Sequence, residues 1–117
     1  MFETEFSQFE NHARIVCKGK ATLENLKGVV DRIKDGEFGN GADSRYLIDL
    51  RPIVGTLSTF ERYDLGIHIA ATIPKFKIAA ISKKETHDKM GENVAVNRGA
   101  NILATDDEAE AMDWLLQ

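Results

Sequence analysis

A chain of 117 residues with 43% hydrophobic and 29% charged residues is long enough to bury one core without disulfides or a structural metal, and it reads as a single domain over residues 1–117. Its net charge of −4, with bases scattered among acids, offers no basic stripe to a nucleic-acid backbone. The apolar runs are far too short to span a bilayer, so no integral membrane segment is expected.

The N-terminal Met1-Phe2-Glu3-Thr4-Glu5-Phe6 carries acids where a secretory signal would carry bases, which points to a cytoplasmic protein. Residues 2–6 and 13–19 alternate apolar and polar side chains, and Phe9-Glu10-Asn11-His12 between them supplies a turn; together they predict an antiparallel hairpin. Cys17, the single cysteine, falls in the apolar half of that pattern with Ala13 and Ile15, the setting of a buried, inert thiol. Thr22 is a plausible N-cap for a helix whose Leu23, Leu26, Val30 and Ile33 recur at helical spacing until Asp35-Gly36. Gly36 to Ser44, rich in glycine and short polar residues, reads as a loop.

Tyr46 to Leu50 is nearly all apolar, as in a strand covered on both faces, yet it contains Asp49. After a polar loop, Ser58 and Glu61 stand at capping-box spacing and open a helix. Phe60, Tyr63, Ile67, Ala70 and Ala71 share one face of that helix, while Leu65, Ile69 and Ile73 lie nearly opposite. The two-sided pattern predicts an exposed apolar strip at Leu65, Ile69 and Ile73 that could serve as an interaction surface. Pro74 ends the helix, and Phe76 to Ile81 forms a second interior strand followed by Ser82, Lys83 and Lys84. A helix from Thr86 to Arg98 with Met90, Val94 and Ala95 inward is weakened by Gly91, by about 1 kcal/mol relative to alanine, and Gly99 closes it. A short strand over Asn101 to Leu103 precedes Thr105 and Glu108, again at capping-box spacing, and a last helix ends in Trp114-Leu115-Leu116. Buried strands alternating with helices define an α/β fold with parallel pairing through right-handed crossovers, the N-terminal hairpin being joined to a mainly parallel mixed sheet.

This order resembles the small STAS domains related to anti-sigma-factor antagonists, the SpoIIAA-like fold, and in particular their STAS/SEC14-like bacterial branch. The resemblance spans almost the whole chain and rests on Tyr46-Leu47-Ile48-Asp49-Leu50 with its following loop, on Phe76-Lys77-Ile78-Ala79-Ala80-Ile81, and on the ending from Thr105 to Leu115. In regulatory members an Asp-Ser-Ser-Gly sequence at the start of the second long helix carries a phosphorylatable serine. Aligned from Asp49, this chain has Leu57-Ser58-Thr59-Phe60 there, so Thr59 matches the modified position and Ser58 its neighbour, while Leu57 and Phe60 depart from the pattern. The resemblance implies a non-enzymatic regulatory or protein-interaction module, docking a protein partner or a second copy of itself, a homodimer, through the 51–73 loop and helix. The alternative it implies is a small-ligand or lipid carrier of the SEC14-like type.

The carboxyl ends of the two interior strands would bring Asp49, Arg51, Thr56, Ser58, Thr59, Ser82, Lys83 and Lys84 toward one rim, where cations and helix-start amides could hold a small anionic ligand. Against this, Asp49 and Arg51 can simply pair with each other. His12, His68 and His87 show no metal-ligand spacing, and no serine or cysteine has the signature of a nucleophile held beside a base. No cofactor, metal or catalytic residue is expected.

Overall fold

Alternation decides the first two strands. In the computed structural model, which describes residues 2–39, 44–84 and 89–117, β1 (Glu3–Gln8) pairs antiparallel with β2 (Ala13–Lys20). In β2, Ala13, Ile15 and Cys17 turn inward and are fully buried. The chain then crosses over the sheet through α1 (Leu23–Lys34), capped by the Thr22 hydroxyl, which accepts from the Asn25 amide. It returns as β3 (Arg45–Asp49), parallel to β2.

Between β3 and the next helix lies β4 (Ile53–Val54), which pairs with the end of β2 and has no counterpart among the predicted strands. Two residues between Pro52 and Gly55 are too few to show a period of two. The long helix α2 (Thr59–Thr72) opens on the expected capping box, Ser58 accepting from the Glu61 amide and Glu61 accepting in return. Next come β5 (Lys77–Ile81), α3 (Met90–Asn97), β6 (Asn101–Thr105) and α4 (Glu108–Leu115). The strands lie in the order β1-β2-β3-β5-β6, with β4 attached to β2, and every pairing after the first is parallel. The expected start of the third helix at Thr86, together with His87, lies outside the described residues.

The period-two geometry of the strands sorts the helices into two layers. Tyr46, Ile48 and Ile78 face α1, α2 and α3 in the larger core. Leu47, Ala79 and Ile81 face the other way and pack on Ala111 and Leu115 of α4. Gly66 of α2 has a packing reason to be glycine: a Cβ there would stand 2.7 Å from the Gly91 carbonyl oxygen and 2.9 Å from Cβ of Val94 in α3, whereas a Cβ on Gly91 would make only an ordinary contact, 3.5 Å from the Arg62 carbonyl oxygen. The two helices therefore approach as closely as backbone allows.

Two ends of elements differ from expectation. The cap of α4 is Asp107, whose carboxylate accepts from the amides of Ala109 and Glu110. Thr105 instead accepts from the Asp107 amide and donates to Glu110, which leaves Glu108 to point elsewhere. The outer strand β6 extends to Thr105, and α3 reaches over it: Glu92 accepts from the Ala104 amide, and Lys89 donates to the Ala104 carbonyl at 3.0 Å.

Candidate functional site

Asp49 is explained by the face it occupies. It alternates with Leu47 toward the α4 side, beyond the start of α4, where Arg14 of β2 and Arg51 of the following loop converge on it. Arg51 grips the carboxylate with two bonds, Nε to Oδ1 at 2.9 Å and Nη2 to Oδ2 at 2.8 Å, and its backbone amide adds a third at 3.0 Å. Arg14 donates to Oδ2 at 3.0 Å. Glu108, freed from any capping duty, closes the group by accepting from Arg51 at 2.7 Å and from Arg14 at 3.2 Å.

Burial pushes the Asp49 carboxyl up, but hydrogen bonds from Arg51 and the charges of Arg51 and Arg14 outweigh it and hold its pKa below the usual carboxylate range. Hydrogen bonds from Arg14 and Arg51 lower Glu108 in the same way, and those from Asp49 and Glu108 raise Arg51. Two acids and two guanidinium groups thus satisfy one another. The cluster ties β2, the β3 exit and α4 together, with Asp49 and Arg51 paired to each other on the α4 face. Arg14 escaped sequence reasoning and Glu108 was assigned only to a cap, although an arginine within the apolar first half of β2, Ala13 to Cys17, was a signal.

The rest of the expected rim splits in two. β3 and β5 are parallel neighbours, with Asp49 opposite Ile81, so the turns after both strands open at one end of the sheet. Ser58 and Thr59 are exposed at the start of α2, while Thr56 and Ser82 sit at the mouth of a cavity. Lys83, exposed, donates to the Ile53 carbonyl at 3.1 Å, and Lys84 is exposed beside it.

The exposed strip expected at Leu65, Ile69 and Ile73 is not on the surface. Ile69 and Ile73 are buried, and Leu65 is half-buried against the same core. Their face of α2 looks down onto the sheet and α1. The apolar groups that α2 does expose are Phe60 and Tyr63, 77% and 42% accessible, three residues apart on one helix face. Arg98 of α3 donates to the Tyr63 hydroxyl at 3.1 Å. Both departures from the STAS pattern now have a place: Leu57 is buried along the cavity wall, and Phe60 projects outward.

Behind α2, the sheet and the helices α1, α2 and α3 leave an apolar cavity of about 190 Å³. Leu26, Val29, Ile48, Ile69, Ile78 and Ile102 line its depth, and Thr56, Arg62, Ser82 and Glu92 are the polar side chains along its wall. No residue pattern had marked it.

The two histidines among the described residues each have a partner within the chain. His12 is buried, bonds Asn11 at 2.8 Å and stacks on Phe9. Burial and the nearby Arg14 lower its pKa. His68 reaches Asp31 of α1 at 2.6 Å. Burial pushes the Cys17 thiol up to about 12, with Asp49 adding to the effect, so it stays protonated and unreactive at neutral pH. Among the described residues no group of histidine, cysteine and carboxylate side chains is placed to hold a metal ion, and no helix is long and apolar enough to cross a membrane.

An antiparallel entry strand, a parallel sheet and helices split three to one across it make a SpoIIAA-like α/β fold. Solved structures agree. The chain is similar to an anti-sigma factor antagonist from Mycobacterium paratuberculosis, with a TM-score of 0.63 at 10% identity over 100% of this chain and 96% of that one. It is also similar to an uncharacterised protein with a SpoIIAA-like fold from Shewanella loihica, with a TM-score of 0.56 at 18% identity over 97% of this chain and 93% of that one. At these identities the likeness is one of fold. No protein-family model matches the chain, and no curated protein matches it in sequence.

Proposed function

We propose that the chain is a non-enzymatic, cytoplasmic regulatory module that docks a protein partner through the loop after β3 and the outer face of α2. The observation that carries this reading is Phe60, a 77% exposed aromatic in the first turn of α2, beside the hydroxyls of Ser58 and Thr59 and one turn from Tyr63. Exposed aromatics with a polar tip nearby are the side chains that anchor protein interfaces. The similar Mycobacterium protein is described as an anti-sigma factor antagonist, and by that analogy the partner is a protein of the anti-sigma-factor kind. Thr59 is the position where a phosphate would switch such docking: the helix start favours the charge, while Glu61 in the same turn opposes it.

Affinity purification from the native cell, with phosphosite mapping, tests the reading. The native chain should retain a partner that Phe60→Asp loses while melting at the same temperature; equal retention by both overturns it. Sedimentation of the purified chain separates docking of a partner from pairing with a second copy.

The carrier alternative has one observation on its side, the cavity behind α2. Its size speaks against a whole lipid, since sites for drug-sized or larger ligands run to roughly 300–1,000 Å³.

A further inference from the structure

We propose that the cavity between α1, α2, α3 and the sheet, open to solvent on one side, is a binding site for a small neutral apolar molecule, a single ring or a chain of about six to eight carbons. The inference keeps the small-ligand part of the carrier alternative and replaces its lipid with something much smaller. It does not depend on the docking reading.

Size comes first. Protein interiors are packed as densely as organic crystals and hold few voids larger than a water molecule, so an opening of about 190 Å³ is an exception. An apolar cavity of about 150 Å³ stays dry and accepts benzene. This one therefore has room for a ring with a short substituent, and not for a long acyl chain.

The walls explain why the space does not close. α2 packs on α3 through the Gly66 contact at its middle. It cannot drop toward the sheet by itself without losing that packing. Leu57, buried just before α2, forms part of the wall.

Chemistry decides the charge of the occupant. The wall is mostly aliphatic, where an ion would lose hydration with few partners to replace it. The polar side chains of the wall include both Arg62 and Glu92, which favour neither sign. A neutral molecule with at most one hydroxyl directed at Thr56 or Ser82 fits this arrangement.

The site also touches the proposed docking helix from within. Leu65 and Ile69 form part of the wall, while Phe60 and Tyr63 stand on the solvent side. An occupant therefore bears on the helix that a partner would grip.

The test is a methyl NMR titration of the full chain with toluene, hexanol, hexanoate and dodecanol. Toluene and hexanol should give saturable shifts at the methyls of Leu26, Ile69, Ile78 and Ile102, and hexanoate at neutral pH should bind weaker by about tenfold or more. Ala80→Leu, which places three more carbons in the cavity, should abolish the shifts, whereas Phe60→Asp should leave them unchanged. No saturable shift up to the solubility limit overturns the proposal, as do shifts centred on Val54 and Val96 at the surface, hexanoate matching hexanol, or dodecanol binding tighter than hexanol. Tight binding by a folded Ala80→Leu chain does the same, and the titrations of the native chain stand should that variant fail to fold.

Discussion

The two faces of one sheet are built to different tolerances. On the α4 face, Leu47, Ala79, Ile81, Ala111 and Leu115 all have 0% exposure, and beyond them the four charges of Arg14, Asp49, Arg51 and Glu108 seal the end of the layer. On the opposite face three helices cover the strands, yet Leu26, Ile48 and Ile69 keep 8–9% exposure around an unfilled space. The smaller layer is the tighter one. A chain of this size secures its fold where one helix packs on the strands without a void and a charge cluster ties the end of the layer, and this leaves the larger layer free to hold a void and present an outer helix.

Truncating the tight side should cost most. Leu115→Ala is expected to destabilise toward the upper end of about 2–5 kcal/mol, and Ile69→Ala, whose neighbours already border empty space, toward the lower end. Urea unfolding of both variants reads the difference, and equal losses would erase the contrast between the faces. Adding volume sharpens the same comparison with adjacent residues. Ala79→Leu should overpack the α4 face at about 1–3 kcal/mol, while Ala80→Leu enters the cavity and should stay within about 0.5 kcal/mol of the native stability or exceed it.

The charge cluster gives the tight face an acid limit. Asp49 and Glu108 have carboxyls held below their ordinary range. Their contribution is complete at pH values above the unfolded-state pKa values, and is lost as pH falls through the lower folded ones. Asp49→Asn should cost about 1–3 kcal/mol at neutral pH, the range for charged hydrogen bonds that are partly open to solvent. Its stability should then fall less steeply than that of the native chain in acid, and parallel curves from neutral to acid unfolding would remove the cluster from the account. A moderate loss falls on the looser side: Ser58→Ala should lower stability by about 0.5–2 kcal/mol through the lost cap of α2, read as a drop in melting temperature.

Much of the architecture was legible because it depends on local rules. The hairpin, the Ser58 capping box, the stop at Pro74 and the apolar runs of β3 and β5 each follow from a few neighbouring residues. β4 was not legible, since Ile53 and Val54 become a strand only by meeting the end of β2. Nor was the inward turn of Leu65, Ile69 and Ile73: helical periodicity shows that α2 has two apolar faces, and only the sheet below decides which is covered. Thr105 and Glu108 fit a capping pair by their spacing, but Asp107 accepts from the amides of Ala109 and Glu110 and is the cap in place of Thr105. The knot around Asp49 joins residues 14, 49, 51 and 108, and no local rule connects them. The cavity has no residue to mark it, because a void belongs to the packing of all its walls.

The reach of α3 over β6 has a consequence for how copies of this chain behave when crowded. An outer strand ordinarily offers its bare amides and carbonyls as a template on which a neighbour can add another strand, the first step toward filaments. Here the outward amide and carbonyl of Ala104 are already occupied by Glu92 and Lys89, so a newcomer must first dislodge a carboxylate and an ammonium group. Helix α3 thereby acts as a stopper against runaway growth of the sheet from that side.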